Sequence, residues 1–133
     1  MKIDDVEGIG PVYGGQLRDA GVETVEALLE KAGPAAGRRE LAEATGIGAE
    51  LLLKWVNHAD LYRLTGVGSE YASLLEACGV DSCSELAQRN PANLATSMAE
   101  ANAVRSFVRR LPTEEQVAGW IEQAKSLPKV VTH

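Results

Sequence analysis

Three short turns, each made of two glycines around one aliphatic residue, limit what this chain can fold into. They are Gly8-Ile9-Gly10, Gly46-Ile47-Gly48 and Gly66-Val67-Gly68. Paired glycines permit a turn too tight for side chains, while the apolar residue between them can point inward. Around the third turn, the pattern predicts a short entering helix capped by Asp60 and a longer leaving helix that stops at Gly79. This arrangement is a helix-hairpin-helix unit.

An internal repeat relates the first turn to the third. A shift of 58 positions (66 − 8) lays Gly8 on Gly66 and carries the match through the following helix into the next one. The aligned pairs include Tyr13 with Tyr71, Leu17 with Leu75, Gly21 with Gly79, and Thr24 with Ser82. Because these positions belong to the turn, the buried face and the helix caps, we interpret the repeat as a duplicated structural unit.

The predicted fold is all-α, with about ten short helices and no sheet. Each half carries two hairpins, the first half spanning residues 1–59 and the second residues 60–133. No linker of Gly, Ser and Pro separates the halves, so we expect them to pack as one compact unit. The junction at residues 57–60 is interpreted as one helix that ends where another begins.

The fourth hairpin, in the second half, differs from the other three. Asn90-Pro91 is typical of a helix start, yet no glycine turn follows that helix. A helix is predicted over residues 104–111, and Thr113 with Gln116 forms the capping-box pattern of a last helix. We therefore expect a remodelled hairpin at this place.

Composition restricts the function classes. The chain of 133 residues carries a net charge of −6, which disfavours non-specific attraction to nucleic acid or anionic lipid. No apolar run is long enough to span a membrane, and the first ten residues lack the features of a signal peptide, so a cytoplasmic protein without a membrane partner is expected.

Several long segments resemble the domain of unknown function 4332 family of tandem helix-hairpin-helix proteins. They are VEGIGPVYGGQLRDAGVETVEALL, GRRELAEATGI, WVNHADLYRLTGVGSEYASLLEACGVDS, ELAQRNPANL and VAGWIEQAKSLPKVVT. The resemblance implies the fold and implies no activity. More distantly, the glycine turns look like the tandem hairpin modules of DNA repair, recombination and polymerase proteins, which raises a nucleic-acid hypothesis.

In such modules the turn amides and the next helix N-terminus face a phosphate, and a basic residue after the turn adds charge. Here the three turns are followed by Pro11, Glu50 and Glu70 within two residues, and none by Lys or Arg. The candidate anion or partner patch is instead the cluster Arg105, Arg109 and Arg110, interpreted as lying on one helix. Its alternative interpretation is a solvated helix face.

The remaining polar and aromatic residues favour structural roles. Tyr13, Tyr71, Trp55 and Trp120 follow helical spacing with leucines and are expected in the core, although a tyrosine could also stack on a base. His58 is expected at a surface or helix end, and Cys78 as a small buried apolar side chain, while the role of Cys83 stays open.

No nucleophile, phosphate-loop, dinucleotide or metal-ligand motif occurs, so neither catalysis nor a cofactor or metal is expected. The sequence predicts a non-enzymatic binding or scaffolding module whose hairpin surfaces meet a protein partner. The alternative is non-sequence-specific binding of a nucleic-acid backbone by hairpin amides, centred on the second half. A third alternative is small-molecule binding between the halves. No oligomeric state is predicted.

Overall fold

The computed structural model describes all 133 residues and contains eight α-helices, one 3-10 helix and no β-strand. The all-α fold class is therefore confirmed, with eight α-helices rather than about ten. The 3-10 helix spans Ile3–Asp5. The α-helices are α1 (Gly10–Asp19), α2 (Val25–Ala32), α3 (Ala35–Thr45), α4 (Ala49–Leu61), α5 (Ser69–Ala77), α6 (Cys83–Leu86), α7 (Pro91–Val104) and α8 (Glu114–Ser126).

The chain divides into two units. Unit 1 comprises Met1–Asp60 with Val130–His133, and unit 2 comprises Leu61–Lys129. The last four residues, which the sequence pattern places in the second half, thus belong to unit 1.

Each unit has its own apolar core built from aliphatic side chains and one tryptophan. In unit 1 the fully buried side chains include Ile3, Leu17, Leu28, Leu41, Leu52 and Trp55. In unit 2, α7 packs against α5 and α8, and α6 also packs against α8. The core of unit 2 includes Leu64, Leu74, Leu75, Leu86, Leu94, Met98 and Trp120.

Four of the eight α-helices start at the side-chain caps that the sequence predicts. Thr24 Oγ1 accepts a hydrogen bond from Ala27 N at 3.0 Å, and Ser82 Oγ accepts one from Glu85 N at 3.2 Å. Asn90 caps α7. At α8 the capping box is complete, because Thr113 and Gln116 each accept from the other's backbone N–H. These bonds satisfy amides that have no partner inside their own helix.

The prediction of a short helix before the third turn is wrong. α4 continues to Leu61, so Asp60 is a buried residue of its last turn and not an N-cap. From residue 49 to residue 65 the chain has neither Gly nor Pro, and nothing interrupts the helix at residues 57–60. His58, expected at the surface or a helix end, lies in the last turn of α4 but is buried.

Candidate binding surfaces

The first and third glycine turns begin with the same backbone dihedral but differ at their second glycine, where φ is 65° at Gly10 and −102° at Gly68. Gly8 and Gly66 both adopt a φ of 90°, a region that residues with a β-carbon rarely occupy. A β-carbon built on Gly8 would lie 3.4 Å from Nε1 of Trp55, and one on Gly66 would lie 3.5 Å from Nε1 of Trp120. Each turn therefore sits against the tryptophan of its own unit.

A tyrosine packs on each of these tryptophans. The ring centroids of Tyr13 and Trp55 are 5.0 Å apart at an interplanar angle of 61°, and those of Tyr71 and Trp120 are 5.2 Å apart at 55°. Both tryptophans are buried, whereas Tyr71 is half-buried and Tyr13 is just exposed. The tyrosines are thus edges of the two cores, held by tilted aromatic contacts.

The central residue of each turn is buried, as predicted, and its amide already has an acceptor within the protein. Ile9 N donates to Val6 O at 3.1 Å, and Val67 N donates to Leu64 O at 3.2 Å. In the second turn, Ile47 N donates to Thr45 Oγ1 at 3.2 Å, and Gly46 ends α3 with a φ of 77°. A phosphate at any of these turns could not use the central amide without breaking one of these bonds.

The side chain at the second position after each turn is exposed, and none of the three is basic. Pro11 and Val12 follow the first turn, and Val12 is 72% exposed. Glu70 is exposed in the first turn of α5, as Glu50 is in the first turn of α4. A carboxylate there interacts favourably with the helix dipole and repels a second anion.

The three arginines of the candidate patch lie in a loop and not on a helix, so the predicted helix over residues 104–111 is wrong. α7 ends at Val104, and Arg105 has extended dihedrals (φ −142°, ψ 123°). We call residues 105–112 the arginine loop. Its conformation is explained by Asn102, whose side chain competes with the helix for the backbone groups that follow.

Asn102 and Tyr71 hold the arginine loop. Asn102 Oδ1 accepts from Phe107 N at 2.8 Å and from Val108 N at 3.1 Å, and Asn102 Nδ2 donates to Val108 O at 3.2 Å. The Tyr71 hydroxyl donates to Arg110 O at 3.0 Å. These bonds connect the loop to α7 and α5 of the same unit.

The outer surface of the arginine loop combines cationic and apolar side chains. The guanidinium of Arg105 lies 5.1 Å from the ring centroid of Phe107, while Arg109 and Arg110 are exposed. Val104, just before the loop, is 90% exposed, and Leu111 is 41% exposed. No sequence pattern indicated that these two apolar residues would be at the surface.

The remaining candidate groups are the two cysteines and the potential metal ligands. Cys78, expected to be buried, is only partly buried, and this burial raises the pKa of its thiol, whereas Cys83 is buried. No cluster of three or more His, Cys, Asp or Glu side chains is placed to hold a metal ion. None of the helices combines the length and the apolar character needed to cross a membrane.

Comparison with known proteins gives one match. Residues 7–127 match the family model described as Domain of unknown function (DUF4332). Searches of curated proteins and of solved structures found no match.

Proposed function

The chain belongs to the DUF4332 family, a domain family of unknown function, and we propose that it is a non-enzymatic binding module whose partner is a protein. We interpret its glycine turns as parts of helix-hairpin-helix units that serve as a frame. The binding surface of this proposal is the arginine loop together with Val104.

The observation that carries the proposal is the exposure of apolar side chains beside three arginines on a fixed loop. Val104 and Leu111 would each bury apolar area against a partner, which favours association. Arginine is enriched at protein interfaces because its guanidinium combines planar hydrogen bonding with stacking. A complementary partner therefore offers an apolar side chain flanked by carboxylates.

The Asn102 bonds support the same proposal. A loop held in one conformation before binding loses less conformational entropy when a partner docks. The exposed apolar residues are thus presented on a preorganised surface.

The test is affinity capture from a nuclease-treated extract of the cells that produce the protein. The bait variants are wild type, Val104→Ser/Leu111→Ser and, as a matched control, Val12→Ser, which removes an equally apolar exposed residue from unit 1. We expect one protein to be captured by wild type and by Val12→Ser. The Val104→Ser/Leu111→Ser variant should not capture it. Retention by all three baits, or loss with Val12→Ser alone, would contradict the assignment of the surface.

A second candidate is binding of a nucleic-acid backbone, favoured by the three exposed arginines next to the half-buried ring of Tyr71. Against it, unit 2 carries seven basic and eight acidic side chains, and no turn is followed by a cation. The test is titration with fluorescent double- and single-stranded DNA at low and then physiological salt, with an Arg105/Arg109/Arg110 triple Ala variant. Affinity that falls steeply with salt and is lost in the variant would favour this candidate.

A further inference from the structure

The last four residues of unit 1 lie against the start of α3. They contain no helix, and Val131 is buried among them. Thr132 N donates to Gly33 O at 3.0 Å, and Thr132 Oγ1 accepts from Ala35 N at 3.1 Å. Arg38 Nη2 donates to Thr132 O at 2.7 Å. The backbone N–H, the carbonyl and the hydroxyl of Thr132 are all bonded to one surface.

That surface is built from groups that other parts of unit 1 hold in place. Arg38 is 6% exposed, and its Nη1 donates to Ala32 O at 3.0 Å and to Gly33 O at 2.9 Å. The guanidinium is therefore anchored to the end of α2 while Nη2 points to the docked segment. Burial also lowers the pKa of Arg38, which is consistent with a cation removed from water.

The docked segment supplies what α3 lacks. Pro34 precedes α3 and makes no side-chain cap bond, so the first amide of the helix depends on the Thr132 hydroxyl. Gly33 leaves room for the segment, since a β-carbon there would lie 2.7 Å from Val130 O. The surface thus accepts a main chain at close range, a threonine hydroxyl and a buried valine.

We propose that this surface is a peptide-binding site, that its ligand is a non-helical peptide with a valine followed by threonine, and that residues 130–133 occupy it as an intramolecular competitor. The contacts involve main-chain groups, one hydroxyl and one apolar side chain. Nothing in them requires that the peptide belong to the same chain. This site is distinct from the arginine loop and does not depend on the function proposed for it.

The test uses variants of the 133-residue chain in which residues 130–133 are released from the surface. Val131→Asp places a charge at a buried position, and Thr132→Pro removes both the N–H and the hydroxyl that are bonded. A fluorescent peptide of residues 127–133 is titrated against wild type and both variants, and circular dichroism verifies that the variants remain folded. We expect at least tenfold tighter binding to a released variant than to wild type.

A matched peptide tests the contacts themselves. Replacing its threonine by valine keeps the shape and removes the hydroxyl acceptor, so affinity should fall about fivefold, the value of one net hydrogen bond. Folded variants that fail to bind the peptide would overturn the proposal, because the segment would then be only a part of the fold. Exchange of the segment between two copies, seen as a wild-type dimer in size-exclusion chromatography that the peptide does not dissociate, would also overturn it.

Discussion

Replacing Asn102 by alanine should release the arginine loop while the core of unit 2 stays packed. The side chain makes three hydrogen bonds, with Phe107 N, Val108 N and Val108 O. At about 1 kcal/mol of net stabilisation each, they are worth roughly 3 kcal/mol. Because the groups are only partly buried, water replaces part of the loss, and we expect a cost of about 2 kcal/mol.

Amide hydrogen exchange, followed residue by residue by NMR, measures this cost at the loop itself. A local destabilisation of about 2 kcal/mol corresponds to roughly thirtyfold faster exchange at Phe107 N and Val108 N. Asn102→Asp keeps the acceptor of both amides and loses the donor to Val108 O, which is one of the three bonds, so its effect should be about one third as large. Asn93→Ala, an exposed position on the same helix, is the control and should change stability by less than about 0.5 kcal/mol.

Two results would refute this reasoning. If Asn102→Ala leaves both amides as protected as in wild type, the loop is held by the packing of Phe107 and Val108 and not by the amide side chain. If Asn102→Asp accelerates exchange as much as Asn102→Ala does, the two bonds accepted by Oδ1 contribute little.

Three glycine substitutions and the alkylation of Cys78 test the backbone and the burial of the two units. Gly66→Ala should destabilise unit 2 by about 1–2 kcal/mol in thermal unfolding, because an alanine must adopt the φ of 90°. Gly15→Ala, with open space around it inside α1, should stabilise by up to about 1 kcal/mol, whereas Gly14→Ala should gain less because the Asp4 carboxylate must move aside. Burial raises the pKa of Cys78, so its alkylation rate should have a pH midpoint above the usual value of 9.0. The contribution of this thiol to the folding stability of unit 2 is present below its pKa in the unfolded chain and is lost as the pH rises through its pKa in the folded chain. An equal effect of the two helix glycines, or an alkylation midpoint at or below the usual value, would count against these assignments.

The helix caps could be predicted from sequence because they depend on local rules. A capping box needs only residues three positions apart, and Thr113 with Gln116 forms one in the structure. The burial of Ile9, Ile47 and Val67 likewise follows from placing one apolar residue between two glycines. In both cases the residues that cause the local structure lie within a few positions of each other in sequence.

Three features could not be predicted because they depend on groups that are distant in sequence or that compete locally. Asp60 resembles a cap by type, but neither Gly nor Pro interrupts the chain from residue 49 to residue 65, and α4 continues past Asp60 to Leu61. Residues 104–111 have helical spacing, yet the Asn102 side chain bonds the backbone that a helix would need. The hydrogen bond from Arg38 to Thr132 O joins two residues that are 94 positions apart in sequence, and no local pattern predicts it.

Both units place the same kind of hydrogen bond after a helix end, and they differ in the length of chain that the bond spans. In each unit a polar side chain near a helix end accepts from the amide of a buried aliphatic residue: Thr45 Oγ1 from Ile47 N at 3.2 Å, and Asn102 Oδ1 from Val108 N at 3.1 Å. Thr45 and Ile47 are two positions apart in sequence, whereas Asn102 and Val108 are six positions apart. The longer span adds a surface loop without opening the core, and loops on a rigid scaffold are where proteins place binding residues. Val108 of the arginine loop belongs to the core of unit 2, and we propose that the exposed residues around it are the part of unit 2 that a partner would select.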